Sequence, residues 1–203
     1  MNGRPVRTKT LGTIVAFDKG TQLATVRLSC NPLNNNLENN FVQLPAPELI
    51  EVPVEFDRCG EYVITFDVKP GDDCIVDFYE SGISHWLYEN RRDYQVNDGY
   101  PEPAALRRFD TQDATCRVAV NNLSGAIPGF GTGLQIRNRA GTQSVILYPD
   151  GVISITTPSA LEVTAQSVNI EASNDIAIKA SGSLTLEGTA VNITGASIGF
   201  SRG

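Results

Sequence analysis

The feature that most restricts what this chain can fold into is a short apolar motif recurring at nearly fixed intervals toward its C-terminus. Apolar-x-apolar pairs occur at Val145/Leu147, Ile153/Ile155, Leu161/Val163, Val168/Ile170, Ile176/Ile178, Leu184/Leu186, Val191/Ile193 and Ile198/Phe200. Their first members lie 8, 8, 7, 8, 8, 7 and 7 residues apart, and mostly Ser, Thr, Ala, Gly and Asn stand between. A period held over eight units marks a repeat architecture. Each unit offers one very short strand whose two apolar side chains share a face, because side chains alternate along extended backbone. Two such side chains cannot offset the entropy of ordering the whole unit, so the units must bury one another.

Two closures are available to such a ladder. One chain can coil into a solenoid with about 20 or more residues per turn, or several chains can wrap so that each supplies one side of a prism. A repeat this short cannot carry one chain around three sides. Three copies about a threefold axis would supply them all and leave no lateral strand edge unpaired. The repeat therefore predicts a homotrimer in which residues 141–203 form an intertwined β-helix, a needle. Its core is read as Val145, Leu147, Ile153, Ile155, Leu161, Val163, Val168, Ile170, Ile176, Ile178, Leu184, Leu186, Val191 and Ile193. Ile198 and Phe200 are assigned to its tip, either closing the last layer or docking a separate cap. Dry aliphatic layers and interchain ladders would make such an object stiff and slow to unfold.

The preceding sequence has a different texture. Residues 1–105 are read as a small barrel with a short N-terminal arm. Period-two alternation marks strands at 11–17, 23–28, 41–44, 52–54, 62–66, 74–78 and 85–88, and the polar stretch 31–40 reads as a loop. Lys69-Pro70-Gly71-Asp72 is a strong turn signal, proline presetting one backbone angle and glycine tolerating the next. Several short strands without crossover helices fit an OB-type barrel, with a small sandwich as the alternative. Residues 106–140, rich in Gly, Asn and Ser, read as a connector or neck. Gly129-Phe130-Gly131-Thr132-Gly133 lacks the Lys-Ser/Thr ending and the following helix of a phosphate loop.

Composition removes several functions. With 16 basic and 23 acidic residues the chain carries −7, and phosphate backbones repel it, so nucleic acid is not an expected partner. No apolar run approaches the roughly 20 residues of a membrane-spanning helix. Arg4, Arg7 and Lys9 before an apolar stretch imitate a signal peptide, but the stretch breaks at Asp18-Lys19-Gly20 and is read as a first strand. Cys30, Cys59, Cys74 and Cys116 are widely spaced beside a single histidine, His85, which excludes a zinc site of ordinary layout. They are read as buried free thiols of a protein made in a reducing cytoplasm. No metal or other cofactor is expected.

With these residues in hand, the sequence resembles the membrane-piercing central spike family of contractile-tail bacteriophages. The resemblance rests on Gly60-Glu61-Tyr62-Val63-Ile64-Thr65-Phe66, on Lys69-Pro70-Gly71-Asp72 and His85-Trp86-Leu87, and on Arg107-Arg108-Phe109-Asp110 with Asp113 and Ile127-Pro128-Gly129. The terminal repeat completes it. It implies an N-terminal OB domain docked on a trimeric baseplate hub and a needle pointing at the host. The needle would make transient contact with the outer membrane as sheath contraction drives it through. Many members close the tip with His-x-His around iron; this chain has no histidine there, so the resemblance implies a separate tip-capping protein instead.

Three rival classes are weighed against a structural spike. An enzyme is disfavoured because the connector is too short for an inserted lysozyme domain, and because His85 and the Asp72/Asp73 pair read as structural or solvated groups. A carbohydrate- or nucleic-acid-binding OB module has one candidate patch, Arg91-Arg92 with Trp86, Tyr88 and Tyr94, which would serve hub docking equally well. A tail-fibre or adhesin shaft would be expected to end in a receptor-binding head.

Overall fold

A computed structural model describes residues 8–29, 33–35 and 41–200; Arg4, Arg7, Cys30 and residues 201–203 lie outside it. In chain order the strands are β1 (Lys9–Asp18), β2 (Leu23–Leu28), β3 (Leu33–Asn35), β4 (Phe41–Gln43), β5 (Glu48–Pro53), β6 (Asp57–Cys59), β7 (Tyr62–Ile64) and β8 (Asp73–Phe78). Two short helices, α1 (Ser84–Glu89) and α2 (Pro103–Leu106), flank the small hairpin of β9 (Val96–Asn97) and β10 (Tyr100–Pro101). Then come β11 (Ala114–Arg117), a 3-10 turn at Leu123–Gly125, β12 (Leu134–Arg137), β13 (Ser144–Leu147) and β14 (Ile153–Thr156). The fold is mostly β.

One five-stranded antiparallel sheet, in the order β11-β8-β1-β2-β5, organises the first half. Alternate residues point inward, as the period-two pattern requires: Ala24, Val26 and Leu28 from β2, and Cys74, Val76 and Phe78 from β8. With Ile14, Leu49, Val52, Val54, Val68, Ala114 and Cys116 they form the core. The sheet is strongly curled. Register slips between Ile14 and Ala16 on β1, and between Leu49 and Val52 on β5 opposite Val26 and Ala24, are bulges that bend the strands. Gly12 leaves room for the core side chain beside it, since a Cβ there would stand 2.6 Å from Val26 Cγ1. The curl brings the two edges together. Val54 forms a parallel bridge with Cys116, and the Glu55 amide donates to the Cys116 carbonyl at 2.8 Å.

Several sequence expectations change here. Residues 85–88 form α1 and not a strand: the Trp86 and Leu87 amides donate to the Ile83 carbonyl, and Asn90 ends the helix in the left-handed region. The polar stretch read as a loop contains β3, which pairs with β4. Among the described residues, strand β7 pairs only with β6, so these two make a hairpin apart from the main sheet. Residues 114–117, read as connector, supply the edge strand β11. Cys74 and Cys116 are buried, but Cys59 is exposed at the turn of the β6–β7 hairpin.

Beyond the barrel, β12, β13 and β14 form a separate antiparallel meander. From 157 to 200 the chain runs extended, without pairing among the described residues, and bends at 158–159, 166, 173–174, 181–182, 188–189 and 196.

Candidate functional site

The barrel's chemistry-bearing side chains are largely engaged with one another. Arg107 donates through Nε to Asp113 Oδ2 at 2.6 Å and through Nη2 to Asp113 Oδ1 at 2.7 Å and Ser84 Oγ at 2.6 Å. Asp113, only 1% exposed, also accepts from the Ile83 amide at 2.8 Å. The Asp113 carboxylate in turn raises the Arg107 pKa. This knot ties the entry of α1 to β11. Arg91 donates to Glu89 and, at 2.7 Å, to Glu102 Oε2; its hydrogen bond holds the Glu102 carboxyl below its ordinary range. His85 is buried with its ring 4.4 Å from that of Tyr94, whose hydroxyl donates to the Gly82 carbonyl at 2.9 Å. The Cys74 thiol shares a hydrogen bond with Cys116, which together with burial pushes the Cys116 thiol far up and draws the Cys74 thiol below its ordinary value.

The expected patch of Arg91, Arg92, Trp86, Tyr88 and Tyr94 is therefore divided. Arg91 is neutralised by two carboxylates and Tyr94 packs on His85, while Trp86 and Tyr88 remain exposed. Trp86 instead shares an open groove with Phe17, Phe56, Val63, Phe66 and Tyr79, one wall of which is the β6–β7 hairpin.

The strongest unpartnered feature lies on the meander. Its register sets Leu134 opposite Leu147, which is opposite Ile153, and Ile136 opposite Val145, which is opposite Ile155. Because opposed residues share a face, these six aliphatics form one plate of two rows by three. The other face carries Gln135, Ile146 and Ser154 in one row, and Arg137, Ser144 and Thr156 in the other. Exposure is largely inverted relative to an ordinary sheet: on the plate Leu134, Ile136, Leu147, Ile153 and Ile155 are exposed and Val145 partly covered, whereas on the other face Gln135, Arg137, Ser144, Ile146 and Ser154 are partly covered and only Thr156 is exposed.

The cover on the polar face comes from the chain itself. Arg137 donates to the Pro128 carbonyl at 2.7 Å, Gln135 to the Thr132 carbonyl at 3.3 Å, and Arg139 to the Gly125 carbonyl, which together fold the loop 122–133 back. Gly133 makes the return possible: its φ is +89°, and a Cβ would stand 2.3 Å from the Leu147 carbonyl oxygen. The glycine-rich run thus serves a close backbone approach.

Of the residues assigned to the needle core, Val145, Leu147, Ile153 and Ile155 are brought together on the plate. Those from Leu161 to Ile193, with Ile198 and Phe200, are not gathered by one chain: each is more than half exposed, from 51% at Ile198 to 91% at Phe200. The backbone bends once between successive pairs, so the sequence period is also a geometric one. Leu134 and Ile136 are an addition that sequence reasoning missed. They are a ninth apolar-x-apolar pair, hidden because 11 residues separate Leu134 from Val145, which breaks the period.

Compared with known families, residues 11–119 match the model described as Phage protein Gp138 N-terminal domain. That span begins within β1 and ends just past β11, so it covers the five-stranded sheet except for Lys9 and Thr10 at the start of β1. No curated protein matches the chain.

Proposed function

The chain belongs to the Gp138 N-terminal domain family of phage proteins, and from that premise we propose that it is the central spike of a phage tail baseplate. It acts as a homotrimer: the barrels dock on a trimeric hub, and the C-terminal segments wind into one β-helical needle. Sheath contraction supplies the work, and the needle supplies stiffness and a narrow profile for crossing the host outer membrane. The role is structural, without bond chemistry of its own.

The observation that carries this reading is the ladder. Apolar pairs repeat every 7 or 8 residues, separated by regular bends, and stand more than half exposed from Leu161 onward on backbone that makes no strand pairing within the chain among the described residues. Continuous apolar surface on that scale is characteristic of an interface. The barrel agrees with it: the order β11-β8-β1-β2-β5, closed in parallel between Val54 and Cys116, is read as the five-stranded OB type. Ile198 and Phe200, at the end of the ladder, are the docking point for a tip-capping protein.

Multi-angle light scattering of the purified chain tests the reading. The expected mass is three times 21.9 kDa. A single-chain mass at micromolar concentration would refute the needle and leave a barrel with an unassigned tail.

A further inference from the structure

We propose that the plate of Leu134, Ile136, Val145, Leu147, Ile153 and Ile155 is the homotypic contact that sets the register of the three chains. The inference rests on the trimeric reading above and assigns a distinct task to one part of it. Two further copies of this chain are the occupants that cover the plate.

The first argument is the choice of face. The loop 122–133 is folded by Arg137, Gln135 and Arg139 against the polar side of the meander, while the aliphatic side stays open. A chain that buried its own sheet would cover the aliphatic side. The open face carries only aliphatic side chains, so it has no charge to match and suits copies of itself. The second is continuity and area. The plate runs directly into the ladder through Val145/Leu147 and Ile153/Ile155, which belong to both. Plate and ladder together expose apolar area on the order of 1,000 Å² per chain, from the usual scale of about 60–120 Å² per large aliphatic side chain scaled by exposure. A stable interface takes roughly 800 Å² per partner.

The third argument is register. Units 7 or 8 residues long, each with one apolar-x-apolar pair, still stack apolar on apolar after a slip of one unit, so the ladder discriminates weakly between alignments. The meander cannot be slipped in this way. Its first strand stands 11 residues before the next pair and is fixed by the Gly133 approach to Leu147, a geometry no later unit repeats.

The test compares two full-length double variants, Leu134→Glu with Ile136→Glu on the plate, and Ser154→Glu with Thr156→Glu on the opposite face of the same meander, by light scattering, with Trp86 fluorescence reporting that the barrel remains folded. The plate variant is expected to lose the discrete trimer, giving monomers or a spread of larger masses, while the opposite-face variant keeps it. If the charged plate variant fails to fold, Leu134→Ala with Ile136→Ala replaces it, and the concentration at which the trimer dissociates should rise at least tenfold. A discrete wild-type-like trimer from the plate variants overturns the plate's role and leaves the spike reading intact. A monomeric wild-type chain overturns both.

Discussion

The guanidinium of Arg107 touches Asp113 through two donors and Ser84 through one, while the Ile83 amide fills another Asp113 lone pair. Such an arrangement is costly to break from one side, because Asp113 is 1% exposed and would lose its cationic partner, keeping only the Ile83 amide. Arg107→Ala is therefore expected to destabilise the barrel by about 3–5 kcal/mol, measured by urea unfolding followed through Trp86. Arg107→Lys should recover only part of this, since an ammonium cannot reproduce the planar fork. The same knot explains why α1 escaped sequence reading. His85, Trp86, Leu87 and Tyr88 lie in an alternating, aromatic-rich context that favours a strand, and the helix is held at its entry by Asp113, 30 residues from Ile83 in the chain. His85 and Asp113 were visible as residues, but their burial depended on that distant contact.

Among the elements, those built on alternation were legible. Strands β1, β2 and β8 fall where the period of two placed them, and their inward residues supply much of the core. Strand β11 was hidden by its brevity and its small residues, Ala114, Thr115 and Cys116, which carry little apolar signal although all three are buried. At the candidate interface, the repeat announced Val145 to Ile155, but β12 lay outside its period and became visible only through the pairing of Leu134 with Leu147 and Ile136 with Val145. Gly133 controls that pairing. Gly133→Ala imposes strain at a positive φ and drives a methyl onto the Leu147 carbonyl, at a cost of ~1–3 kcal/mol or more. The expected outcome is loss of amide hydrogen-exchange protection across β12, with protection in β1 and β2 unchanged.

For the molecule as a whole, the contrast between a closed barrel and an extended tail predicts two unfolding regimes. In the assembled trimer the ladder would be lost only when many interchain contacts break together, so its unfolding should be slow and dependent on heating rate. Calorimetry at two scan rates checks this: the transition assigned to the tail should shift upward with faster heating, and the barrel's should hold. The bridge from Val54 to Cys116 has a mechanical corollary. Strand β11, the last strand of the barrel, is gripped on one side by β8 and on the other by Val54 and Glu55. Ladder hydrogen bonds lie across the strands they join, so a push along β11 loads both flanks in shear. Bonds loaded in shear yield together, whereas bonds peeled from an end yield singly, and a thrust arriving through the tail would thus be shared around the barrel wall.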